Sequence, residues 1–287
     1  MTQKTFYLGL GGQKCGSTWI QAYLNRQEGS DFGRLGEYQV WEPQLGGVFA
    51  RYKVPTPPLK ERLRARLKTA VGADEPAQHL RWRLQSDPEA YFDYFAGLLA
   101  RPGIVCTGDI TPSYAALPPE RLARIREGFA ERGIAVKAIF SMRDPVDRLR
   151  SHMRMEMAKD RLSAEETNAA PLRAFYATEE AEARSRYDRT IAAIEQVFAP
   201  EDRFLCLFED LFTPEGIAAL SDFAQVPSDP SQGGQAVNAR AKGSGSLPED
   251  LLAEIAAHYR PAYEAAAERL PRVRALWPSA PYALTSA

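Results

Sequence analysis

The chain has 287 residues, is 45% hydrophobic and carries a net charge of -1, which supplies a substantial core and excludes recruitment of nucleic acid or an anionic membrane by a global field. Its three cysteines, Cys15, Cys106 and Cys206, lie far apart with no C-x-x-C pair and only three histidines to join them, a pattern that argues against a disulfide framework or a zinc site and predicts reduced thiols and no metal. The amino-terminal apolar run is too short for a signal peptide and no segment is long enough to span a membrane, so a cytoplasmic protein is expected.

In chain order, "TFYLGLG" (5–11) is a β-branched and aromatic run ending in glycines, and "STWIQAYLNRQ" (17–27) has apolar residues at helical spacing. This predicts strand, loop, helix. A weaker strand is expected at 33–38, "GRLGEY", followed by a glycine- and proline-rich stretch at 42–58. "LKERLRARLKTAV" (59–71) then spaces Leu59, Leu63, Leu67 and Val71 four apart among five basic residues, an amphipathic basic helix whose ordinary reading is a solvated face and whose sharper one is a lid for an anionic acceptor or the cofactor. Asp87 and Pro88 open a further helix, and Gly133 closes one over 117–133. Apolar strands follow the same logic at 103–109, 134–142 and 203–210, with Thr213 and Pro214 starting a helix after the last. A long polar loop occupies 228–248. Strands alternating with helices predict a three-layer α/β sandwich around a mainly parallel sheet, in one domain spanning 1–287 with 42–71 and 228–248 as lid or acceptor segments. Ligands in such folds bind at the carboxyl ends of the strands.

The stretch "GLGGQKCGSTW" (9–19) is the first candidate site. Two glycines between a strand and a helix let backbone N–H groups converge on an anion, and the helix start adds unpaired donors. Gly11 and Gly16 have Walker A spacing, but the lysine is Lys14, two residues ahead of Gly16 rather than after it. The plain alternative is a tight turn with an exposed lysine and a capping Ser17.

These residues resemble the first signature of the sulfotransferases that use 3'-phosphoadenosine 5'-phosphosulfate (PAPS), approximately Pro-Lys-x-Gly-[Ser/Thr]-Thr-Trp, matched at Lys14, Gly16, Ser17, Thr18 and Trp19, with Gln13 and Cys15 as departures. The resemblance implies a P-loop-like loop that wraps the 5'-phosphosulfate, with Lys14 to Trp19, Cys15 included, around the cofactor. "AIFSMRDPVDRLRSHMR" (138–154) is an apolar strand ending at Arg143, with Asp144 and Pro145 at a helix start and Ser151 eight residues after the arginine. It is similar to the family's second signature, in which such an arginine and serine hold the 3'-phosphate. The likeness continues through residues 186–220 with their "EDL" turn. It also places Arg240, Lys242 and Gly243, in "NARAKGSGSLP", on a basic loop over the nucleotide.

The resemblance further implies a carboxylate base. The Lys-x-His-x-Pro-like segment of the histidine-base type does not occur, whereas glycan and tyrosylprotein sulfotransferases use a glutamate about two dozen residues after the loop lysine, at the end of the second strand. Glu37, 23 positions after Lys14 and followed by Trp41, is the candidate, with Glu42 as its competitor. "GDITPSY" (108–114) is similar to a Glu-Lys-[Ser/Thr]-Pro-x-Tyr segment of the glycan enzymes, with Asp109 and Ile110 in place of the first two residues. The expected reaction is sulfuryl transfer from PAPS to a hydroxyl of a small-molecule or glycan acceptor, leaving PAP, with Lys14 and Glu37 catalytic and no nucleic-acid partner. The alternatives are a divergent P-loop kinase or nucleoside triphosphatase using Asp109 for magnesium, and a non-catalytic PAP-binding protein. Oligomeric state is left open.

Overall fold

Four short, mainly apolar strands need cover on both faces, and the computed structural model supplies it. It describes residues 3–70, 72, 74–159, 169–234 and 247–284. From the amino terminus come β1 (Thr5–Gly9), α1 (Ser17–Asn25), α2 (Leu59–Ala70), α3 (Ala77–Ser86), α4 (Pro88–Leu99), β2 (Cys106–Ile110), α5 (Pro119–Ala130), β3 (Ala135–Met142) and α6 (Pro145–Lys159). There follow α7 (Ala169–Phe175), α8 (Glu179–Glu182), α9 (Tyr187–Val197), β4 (Arg203–Leu207), α10 (Pro214–Ala224), α11 (Glu249–His258), α12 (Arg260–Arg269) and two short terminal helices. The strands form one all-parallel sheet in the order β2-β1-β3-β4.

Alternation along β1 divides the core between the two faces. Phe6 and Leu8 join the larger cluster with α4, α5, α9, α11 and α12, and Phe6 stacks on Phe129 at 4.0 Å. Tyr7 faces the smaller cluster with α1 and α10, where its hydroxyl donates to the Ala224 carbonyl at 2.6 Å. The result is the expected three-layer sandwich. Because β1 lies between β2 and β3, the chain leaves it in opposite directions for the two halves of the sheet, which opens the crevice at the carboxyl ends of β1 and β3.

Local sequence explains the helix ends. The Asp87 carboxylate accepts from the Glu89 amide and Thr213 Oγ1 from the Gly216 amide, each just ahead of a proline at the first turn. On α2 the exposed large hydrophobics of the described residues, Leu59, Leu63 and Leu67, form one outward stripe, and Ala65 is buried beneath. No helix among the described residues is long and apolar enough to cross a membrane.

One expected strand is absent. Residues 33–38 are irregular, because Gly33 takes a left-handed backbone (φ 71°) against the Tyr38 and Tyr94 hydroxyls, and the following amides bond to side chains instead of a neighbouring strand. Glu37 therefore sits on a loop, not at a strand end.

Removing the Phe6 ring leaves a cavity among Tyr91, Phe95 and Phe129. Phe6→Ala should lower stability by about 3–5 kcal/mol in urea unfolding without changing the character of the transition.

Candidate active site

The loop after β1 is shaped by β3. Leu10 N donates to the Ile139 carbonyl (2.9 Å) and Gly12 N to that of Ser141 (2.8 Å), while Cys15 N closes back on Gly12 (3.0 Å). The Ser141 hydroxyl lies beneath, 3.0 Å from the Gly11 carbonyl and 2.7 Å from that of Cys15, so its one proton is shared between them. Lys14 is partly buried and held in the left-handed region at φ 69°, a turn that few residues with a Cβ adopt. Gly16 precedes α1 at φ 89°, and a Cβ there would stand 2.6 Å from Leu211. The amides of Ser17 and Thr18 donate to no acceptor among the described residues, leaving the first turn of α1 open to an anion.

The remaining loop candidates are placed unequally. The Cys15 thiol is fully buried, 3.8 Å from the Tyr187 hydroxyl, and burial pushes it up to about 11. With its amide also committed, Cys15 supports the loop from below. The Trp19 indole is buried on Tyr23 and donates to the Gln232 carbonyl at 3.2 Å, tying the segment after α10 to α1. Thr18 is exposed and Ser17 buried.

Arg143 follows the last residue of β3, on the strand beside β1. Its guanidinium lies over the Phe208 ring at 4.7 Å, its Nη2 is 3.5 Å from Asp147, and its side chain is 14% exposed, so the fork is presented from a largely dehydrated wall. Asp144 is spent on structure, accepting from the Val146 amide at the start of α6 and from Ser279 and Tyr263. Ser151 is partly buried on α6. Arg240, Lys242 and Gly243 lie outside the described residues.

Glu37 is carried by a loop docked on the segment after β2. The Tyr38 amide donates to Thr111 Oγ1 (3.1 Å) and the Val40 amide to the Tyr114 hydroxyl (3.1 Å), and both hydroxyls donate to buried Asp109, at 2.6 and 2.7 Å. Burial and the nearby Asp109 charge raise Glu37 above the usual carboxylate range. Gln39 Nε2 donates to its Oε2 at 3.3 Å. Glu42, the competitor, is fully buried with Ser113 donating to Oε1 at 2.5 Å, and burial lifts it to about 7. Of the two, only Glu37 is open to an acceptor.

Two supports of the candidate site, Ser141 and Arg148, carry no signal of their own in the sequence. Asp109 reads as a departure from a pattern and acts through two relays. Arg148 on α6 is fully buried, close to Cys15, Tyr187 and Arg184, and none of its guanidinium nitrogens finds a partner among the described residues. Its charge acts on the Cys15 thiol from behind the loop. His152 is also buried, and burial with Arg148 and Arg184 drives it down to about 4, so it is neutral at pH 7. The aromatic residues Tyr91, Phe92 and Phe95 are core. Among the described residues no group of three or more His, Cys, Asp or Glu side chains is placed to hold a metal ion.

The all-parallel sheet with a glycine-containing loop and helix after β1 defines an α/β nucleotide-binding-like architecture. Solved structures narrow it. A sulfotransferase from Alicyclobacillus acidocaldarius matches 94% of this chain over 97% of its own length, with a TM-score of 0.55 and 15% identity. The sulfotransferase domain from the curacin biosynthetic pathway matches 94% of this chain over 98% of its own, with a TM-score of 0.52 and 20% identity. The sulfotransferase domain of the Synechococcus PCC 7002 olefin synthase matches 93% over 94%, at 0.51 and 15%. No protein-family model and no curated protein matches the sequence significantly. The chain has the sulfotransferase fold.

Two measurements check the site's supports. Ser141→Ala removes the donor under the loop and should cost about 1–3 kcal/mol in unfolding free energy. Glu42 is protonated more readily folded than unfolded, so its contribution is fully present below the unfolded value near 4.5 and is lost as pH rises through about 7. Glu42→Gln should therefore match the parent in melting temperature at pH 4.5 and gain on it progressively up to pH 8.

Proposed function

We propose that the protein is a sulfotransferase that moves a sulfuryl group from PAPS to a hydroxyl of a small-molecule or glycan acceptor and releases PAP. The observation that carries this reading is the joining of the two signatures at one sheet edge. The loop bearing Lys14 is bonded through Gly12 and Ser141 to the strand that Arg143 directly follows.

In this scheme the acceptor oxygen attacks sulfur as the bond from sulfur to the 5'-phosphate oxygen breaks, by analogy with phosphoryl transfer. Lys14 and the open amides of Ser17 and Thr18 neutralise the charge growing on the leaving phosphate. Arg143 and Ser151 hold the 3'-phosphate, the arginine as a planar fork stiffened against Phe208. Glu37 takes the hydroxyl proton, and its raised affinity for that proton suits a base working near neutrality. The kinase reading is weakened by Asp109, whose oxygens are occupied by Thr111, Tyr114 and Tyr91 and so are committed away from magnesium.

Thermal unfolding with PAP tests the reading. Ligand at about 100 times its Kd stabilises by roughly 2.7 kcal/mol, and Lys14→Ala and Arg143→Ala should each abolish that gain; wild-type gains in both would overturn the proposal. Glu37→Gln should keep the PAP-induced gain and lower turnover, read as PAP release from PAPS across a panel of hydroxyl compounds, by about 10²–10⁴. Because the base works deprotonated, activity should fall as pH drops through its raised value, placing the acid limb above the usual carboxylate range near ~4.3. PAP binding with no release from PAPS on any compound would favour a non-catalytic protein.

A further inference from the structure

A cavity of about 750 Å³ lies between the 51–58 stretch, α2 and the start of α3. It adjoins the candidate base. Gln39 and Arg81 line its inner end, and while Gln39 donates to the Glu37 carboxylate, Arg81 donates to the Glu37 carbonyl at 2.8 Å and to that of Tyr38 at 3.0 Å. Two lining side chains therefore touch the residue that carries the candidate base.

The lining is charged in one sense. Arg51, Lys53, Arg64, Lys68 and Arg81 face a single carboxylate, Glu61. Two of the cations are already engaged, Arg51 by Glu180 at 2.5 Å and Arg81 by the backbone carbonyls. Lys53, Arg64 and Lys68 have no carboxylate within ion-pair distance among the described residues, in a chain whose net charge is only -1. Arg64 and Lys68 stand one turn apart on α2 and line the cavity beside buried Ala65, so they present charge to it together. Concave walls of one sign concentrate ligands of the other.

We propose that the acceptor is an anion: a hydroxyl compound, large enough to occupy this cavity, that carries carboxylate, phosphate or sulfate groups received by Lys53, Arg64 and Lys68. The inference rests on the sulfotransferase reading for the identity of the cavity as the acceptor site, and it names the chemistry of what enters.

The test uses pyranine, a hydroxypyrene bearing three sulfonate groups, and the same hydroxypyrene without them, with binding to the PAP-loaded protein followed by fluorescence anisotropy. Pyranine should bind more tightly than the neutral ring and lose affinity as salt is raised. The Arg64→Glu/Lys68→Glu double variant should weaken pyranine by about tenfold, as expected for two exposed charges reversed. Lys60→Glu/Arg66→Glu changes net charge equally on the same helix at positions that do not line the cavity, and should leave pyranine binding nearly unchanged. Equal binding of both dyes, or equal loss in both double variants, overturns the proposal. The arms separate the two readings, because failure to bind PAP sinks the sulfotransferase assignment, whereas normal PAP binding without preference for pyranine sinks only the anionic acceptor.

Discussion

One buried carboxylate organises the side of the crevice that carries the candidate base. Asp109 stands at the end of β2 and accepts hydroxyl hydrogens from Thr111, Tyr114 and Tyr91. Thr111 and Tyr114 turn their lone pairs toward the amides of Tyr38 and Val40, so a charge at the sheet edge fixes a loop that belongs to no sheet. The loop's lack of strand partners is what makes this necessary, since its backbone donors would otherwise be buried and unmet. Desolvation lifts Asp109 only to about 6 because the hydroxyls oppose it. Without that compensation the anchor would be neutral at pH 7 and much weaker.

Under the candidate anion loop the corresponding role falls to Ser141, and the two supports share β1. That strand pairs Leu8 with Asp109 on one edge and Gly9 with Ile139 on the other. The candidate anion loop and the candidate base are thus positioned from opposite edges of the same five residues, and the core around Phe6 and Tyr7 holds both. Buried Arg148 adds positive charge from behind the loop while buried Asp144 pins the start of α6. Carboxylates with raised proton affinity stand on both sides, Asp144 and Glu209 near Arg143, and Glu37, Glu42 and Asp109 around the end of β2.

Much of the architecture was legible in the sequence because it is written in local pattern. Apolar strands, proline at first turns and caps at Asp87 and Thr213 all act over a few residues. The resemblance then supplied Lys14, Arg143 and Glu37 as candidates, and the structure brings their supporting elements to one sheet edge. What was not legible depends on partners distant in sequence. The 33–38 stretch carries the composition of a strand, yet Thr111 and Tyr114 claim its neighbouring amides from some 70 residues away. Cys15 reads as a member of the loop, but its orientation is decided by Tyr187, far along the chain. Ser141 and Arg148 have no local pattern at all, since a serine in a strand and an arginine in a helix become informative only once what lies against them is known.

The leucine stripe of α2 has a consequence for how the cavity is entered. Among the described side chains of this helix Ala65 alone is buried, so the wall carrying Arg64 and Lys68 is fastened to the body by little apolar area. Segments with few buried contacts open at a small fraction of the cost of global unfolding. Amide hydrogens of α2 therefore belong among the fastest to exchange, and whatever occupies the cavity contributes part of the fastening itself. On the proposed reading the cavity wall is assembled around its guest, while the loop after β1, clamped by Ser141 and the strand pairing, is ready beforehand.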